Sequence, residues 1–177
     1  GGGPRIKMEL AKLNIVSQFI KGLRITDKQT MGVVEKALVD FNSEIIEKLK
    51  KKKCNAGGLN VSENNIFIVE QESKDLGFVG RPKKILSEKI QNIIDQQQIP
   101  VISPMGRDGD GEKYNINADT AAAAVAKSLK SRRLLLMTDV TGVYDQNKKL
   151  ISEIKPAEAK NLIDKKIVEG GMIPKLL

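Results

Sequence analysis

The 177-residue sequence contains no histidine, no tryptophan and a single cysteine, Cys54. Without histidine there is no imidazole general base and no Ser–His or Cys–His nucleophile pair. With one cysteine as well, a zinc site lacks its usual ligands. The lone thiol also excludes an internal disulfide framework. Aromatic residues make up only 3% of the chain, so stacking platforms for single-stranded nucleic acid are scarce and no nucleic-acid partner is expected. No apolar run approaches the roughly 18–20 residues of a membrane span, and no basic-then-apolar leader opens the chain. The expected location is therefore the cytoplasm, with no membrane partner. Neither a Walker A pattern nor G-x-G-x-x-G occurs, so a bound nucleotide would not rest on either common glycine loop. Carboxylates, lysines, arginines and backbone amides remain to carry chemistry.

Lys plus Arg number 30 against 22 Asp plus Glu, a formal charge of +8, with 40% apolar and 29% charged residues. That balance is globular rather than disordered. The length suits one domain over residues 1–177. The densest basic run, Lys48 to Lys53, reads as the solvated end of a helix, where cations complement the dipole.

Hydrophobic periodicity predicts helices over Arg5–Leu13, after Thr26, over Ser87–Gln97, from Asn117 to Lys130 and over Pro156–Asp164. Thr26 with Gln29 reads as a capping box. Asp40–Asn42 is expected to break the helix that follows, and Gly57–Gly58 to end the unit. Short strands are expected at Ile66–Val69, Leu76–Gly80 and Ile99–Ser103, with a hairpin tip at Asp108–Gly111. Arg133–Met137 reads as a fully apolar strand of the parallel type. Strands alternating with helices make the class α/β, a three-layer αβα sandwich with a mainly parallel open sheet.

Ligands of such sheets gather where strands hand over to helices. That selects the Gly1–Gly3 turn, Tyr114–Thr120 and Thr138–Tyr144. The glycines read equally well as an artificial leader or as an anion-binding turn feeding a helix N-terminus. Asn117 or Asp119 suffices as a helix cap, which leaves Asn115 unexplained. Arg24 is either a surface residue or a bidentate clamp on a carboxylate.

In order, GGGP, GLRITD, DLGFVG, YNINADTAA, LLLMTDVTGVYD and GGMIPK resemble the acetylglutamate kinases of the amino-acid kinase family, over nearly the whole chain. The resemblance implies the amino-acid kinase fold without its first strand and C-terminal part. It implies transfer of the γ-phosphoryl of ATP, with Mg2+ held mainly through the phosphates, to the γ-carboxylate of N-acetyl-L-glutamate in arginine biosynthesis. By motif, Gly2 and Gly3 would donate N–H groups to the phosphoryl and substrate carboxylate. Arg24 would grip the α-carboxylate and Asn115 would hydrogen-bond the same substrate. Asp119 would orient the catalytic lysines, and Lys175 would balance phosphate charge. Asp139, Thr141, Gly142 and Tyr144 would line the nucleotide side. A homodimer or higher homo-oligomer is implied too. The family's second catalytic lysine falls upstream of Gly1, and part of its nucleotide site beyond Leu177, so residues 1–177 alone are expected to lack useful kinase activity. A kinase for glutamate, aspartate or aminoadipate, or a non-catalytic arginine-sensing domain, are the alternatives.

Overall fold

The computed structural model describes residues 2–176. In chain order its elements are α1 (Gly3–Lys12), β1 (Phe19–Ile20), β2 (Leu23–Arg24), α2 (Lys28–Lys51), β3 (Ala56–Leu59), β4 (Phe67–Gln71), β5 (Gly80–Ile85), α3 (Ser87–Asp95), β6 (Ile99–Ile102), β7 (Met105–Arg107), β8 (Lys113–Asn115), α4 (Ala118–Ser128), α5 (Pro156–Asp164) and α6 (Ile173–Leu176). The α/β class is as expected. Parallel pairing joins β3 to β6 and β4 to β7, while β1–β2, β4–β5 and β7–β8 pair antiparallel. The largest sheet runs β5-β4-β7-β8. None of the described helices is long and apolar enough to cross a membrane.

Two cores fix the frame. Ile6 and Leu10 of α1 pack with Met31, Val34, Ala37 and Leu38 of α2. These α2 positions recur at helical spacing, so one face of the helix is dry. The second core joins Leu59, Ile66, Phe67, Val69, Ile90 and Ile116 across the sheets and α3. Between them the cores hold the N-terminus of α1, the start of α2 and the end of β8 against one another.

Several local expectations are corrected. Asp27, not Thr26, caps α2: its carboxylate accepts from the Thr30 amide at 2.7 Å. Thr26 is fully buried and belongs to the preceding extended segment, where its amide donates to Leu76 O and its carbonyl accepts from Phe78. The helix does not break at Asp40–Asn42. It runs unbroken for 24 residues, because buried Asn42 donates its side-chain amide to Val101 O and is used in packing, not as a terminus. Gly57 and Gly58 lie inside β3, where a Cβ on Gly58 would stand 2.8 Å from Ile46 Cδ1 and 2.9 Å from Asn42 Oδ1. There glycine allows α2 to approach the strand. Leu76 closes a short 3-10 turn and the strand begins only at Gly80.

Arg133–Met137 is not a strand among the described residues. A strand exists only within a ladder, and no described segment pairs with this one; Leu135 and Met137 are 79% and 89% exposed. Asp108–Gly111 does form the tip between β7 and β8, where Asp108 Oδ1 accepts from the amides of Asp110 and Glu112.

Candidate active site

The hairpin β1–β2 carries Arg24. Its turn residues Lys21 and Gly22 both have positive φ, 49° and 81°, the conformation a two-residue hairpin loop demands. The register sets Phe19 opposite Arg24, and the guanidinium lies 4.8 Å from the centre of the Phe19 ring. Arg24 is only 8% exposed. It donates to Ser17 Oγ and, at 3.4 Å, to Gly3 O. Among the described residues no carboxylate pairs with it. Burial lowers its pKa, which is the sign of a desolvated charge that an anion would relieve.

Gly2 stands at the N-terminus of α1 and, with Gly3, borders the same space. The first turn of any helix leaves its N–H groups without intrahelical acceptors and carries positive partial charge. Pro4 suits the start of the helix and offers no amide of its own. Gly1 lies outside the described residues.

Asn115 closes β8. Its backbone amide donates to Phe78 O at 2.9 Å, and its side-chain amide lies 3.5 Å from Thr26 Oγ1. Thr26 Oγ1 in turn donates to Arg24 O at 3.0 Å, so one buried hydroxyl stands between Asn115 and the backbone of Arg24. Asn117 is the α4 cap, accepting from the amides of Asp119 and Thr120. Gly2, Gly3, Arg24 and Asn115 thus line one cleft of about 190 Å³, together with Phe19 and Gly22.

Asp119, in the first turn of α4, receives Lys175 of α6. Lys175 Nζ lies 2.9 and 2.8 Å from the two carboxylate oxygens, and both side chains are about one-fifth exposed, 19% and 20%. The pair joins residues far apart in the chain. It is also linked to the cleft through Asn117, which borders the cleft and caps the helix bearing Asp119.

Asp139, Thr141, Gly142 and Tyr144 sit elsewhere. Asp139, Thr141 and Tyr144 are exposed, and none of the four lines the cleft. Tyr144 pairs with Leu150 in a small hairpin. Phe19, Ser17 and Gly22 were not singled out from the sequence as site residues. No motif announces Ser17, and Phe19 is marked only by its register opposite Arg24.

The model of the amino acid kinase family matches residues 1–177, the span that holds both this cleft and the Asp119–Lys175 pair. The chain belongs to the amino acid kinase family. It is 51% identical over 176 residues to the acetylglutamate kinase of Pelagibacter ubique, covering 99% of this chain and 61% of that protein. It is 37% identical over 187 residues to the acetylglutamate kinase of Methanopyrus kandleri, covering 99% of this chain and 76% of that one. Among solved structures, smu.665 from Streptococcus mutans superposes with a TM-score of 0.93 at 32% identity, over 99% of this chain and 72% of the other. This member of the amino acid kinase family therefore spans about three-fifths (61%) of the Pelagibacter protein it matches.

Proposed function

We propose that the chain forms the phosphoryl-acceptor side of a kinase that phosphorylates the γ-carboxylate of N-acetyl-L-glutamate with ATP. The observation that carries this is Arg24: buried, without a carboxylate partner among the described residues, and facing the cleft that Gly2, Gly3 and Asn115 share. A guanidinium so placed offers a planar fork for the substrate α-carboxylate. Asn115 supplies a neutral donor and acceptor for the acetylated amino group. Retention of both Asp119 and Lys175, already paired, favours a catalytic domain over an arginine sensor, which has no need of a phosphate-facing lysine.

The nucleophile is a carboxylate, ionised near pH 7, so the absence of histidine is no obstacle. One carboxylate oxygen attacks the γ-phosphorus, the bond to the bridging oxygen breaks, and ADP leaves with the electron pair. Catalysis of such a transfer is positioning and charge stabilisation. The α1 N-terminus with Gly2 and Gly3 would present amides to the transferring group, and Lys175 would neutralise the equatorial oxygens. Asp119 would hold that ammonium in place. Mg2+ bound with the nucleotide would add charge neutralisation. That ion would be carried mainly by the phosphate oxygens, as Mg2+ commonly is. The nucleotide side is assigned to Asp139, Thr141, Gly142 and Tyr144 on their exposed turn. Assembly as a homodimer or higher homo-oligomer belongs to the same proposal.

The test is a chimera in which residues 1–177 replace the matching segment of the Pelagibacter enzyme. With ATP and hydroxylamine, it should form hydroxamate from N-acetyl-L-glutamate and little from glutamate, aspartate or aminoadipate. Preference for an unacylated amino acid would move the assignment to another member of the family.

A further inference from the structure

The turn of the β1–β2 hairpin rests directly on the segment that leads to Lys175. A Cβ built on Gly22 would lie 2.7 Å from Gly170 O, 3.1 Å from Gly170 C and 3.6 Å from Gly171 N. These are backbone atoms, which cannot rotate aside. Gly22 also has φ of 81°, a region side chains disfavour. Across the contact Gly170 has φ of 56°, yet a Cβ there would meet nothing within 4 Å. Of these two glycines, Gly22 alone is restricted by both conformation and space. Lys21 and Leu23 of the hairpin also line, with Ile173 and Pro174 of the Gly170–Lys175 segment, one cavity of about 370 Å³.

We infer that Gly22 is a positioning residue: through its contact with Gly170, the hairpin that carries Arg24 sets the placement of the segment that carries Lys175. The catalytic meaning of this seat rests on the kinase function proposed above. A carboxylate ligand that orders Arg24 also orders the hairpin, and a hairpin seated on Gly170 passes that ordering to Lys175. The coupling is reciprocal by thermodynamic necessity. Gly170→Ala carries a comparable left-handed strain without the clash, and so separates backbone strain from seating.

Hydrogen exchange of the 177-residue chain, read by mass spectrometry, tests this because exchange reports local opening. Without ligand, Gly22→Ala should speed exchange of residues 168–176 several-fold, and Gly170→Ala much less. Saturating N-acetyl-L-glutamate should slow exchange of 168–176 in the wild type and in Gly170→Ala. In Gly22→Ala, compared at a ligand concentration that titration shows to saturate that variant, it should not. Equal exchange in wild type and Gly22→Ala, or ligand protection retained in Gly22→Ala, overturns the inference. A merely structural role would lower the unfolding midpoint of both variants alike without separating their ligand responses, and that result also overturns it. Should Gly22→Ala fail to fold, the wild type decides: protection of residues 19–24 and 168–176 together supports the seat, and protection of 19–24 alone refutes it. If the wild type binds no N-acetyl-L-glutamate, the kinase function fails, while faster exchange in ligand-free Gly22→Ala still supports the seat.

Discussion

Lys175 Nζ sits 2.8 and 2.9 Å from the two oxygens of Asp119, joining the last described helix to the first turn of α4. Asp119 lies in the first turn of α4, where a negative charge complements the helix dipole, and it is ion-paired with Lys175. Lys175→Ala should lower hydroxamate formation in the chimera by about 10²–10³-fold, the scale of losing one preorganised charge. An unchanged rate removes Lys175 from the catalytic set. Asp119→Asn should lower the rate as well, by releasing the lysine from its aimed position.

Arg24 makes a sharper test through a conservative change. Arg24→Lys keeps the charge but loses the fork and the planar face over Phe19. Arg24→Ala should weaken N-acetyl-L-glutamate binding by about 2–5 kcal/mol, and Arg24→Lys should recover only part of that. Calorimetry checks both. A loss under tenfold for Arg24→Ala would mean that the buried guanidinium serves the fold.

The cleft depends on α1 lying on α2. Leu10 is fully buried at that junction, and truncation leaves a cavity that helix packing fills only in part. Leu10→Ala should cost about 2–5 kcal/mol of folding stability, measured by urea unfolding. A loss well below that range would show that α1 contributes little to the first core.

The acid limb of stability should involve Glu44 and Asp27. Lys48 first, then Arg5, lower the Glu44 carboxyl from 4.5 to about 2; the Thr30 amide lowers that of Asp27. A folded pKa below the unfolded one means stability present above the unfolded value and lost as pH falls through the folded one. The Glu44 contribution should therefore fade between pH 4.5 and about 2. Asp27→Ala should cost about 0.5–2 kcal/mol near neutral pH through loss of the cap. Unfolding midpoints taken across that pH range check both: Glu44→Gln should flatten the slope, and an unaltered slope contradicts the assignment.

Much of this was legible in the sequence, for identifiable reasons. The α2 face Met31, Val34, Ala37 and Leu38 announces itself by spacing and is buried as expected. Gly2, Gly3, Arg24 and Asn115, selected by motif, share one cleft, and Asp119 meets Lys175. What the sequence hid was set by tertiary context. Thr26 and Asp27 are both good caps, and only the pairing of Thr26 with the segment at Gly77 decides between them. Gly57–Gly58 resembles a terminator until α2 is seen packed against it. The apolar run at Arg133–Met137 has strand composition, but composition supplies no ladder partner. The Gly22–Gly170 contact has no local signature, since either glycine alone reads as a turn.

The most direct test of the cleft assignment is calorimetric titration of the 177-residue chain with N-acetyl-L-glutamate and, separately, with L-glutamate. The acetylated ligand should bind one site, bind more tightly than L-glutamate, and lose that binding in Arg24→Ala. Equal binding of both ligands, or binding of N-acetyl-L-glutamate that survives Arg24→Ala, would contradict the assignment of this cleft.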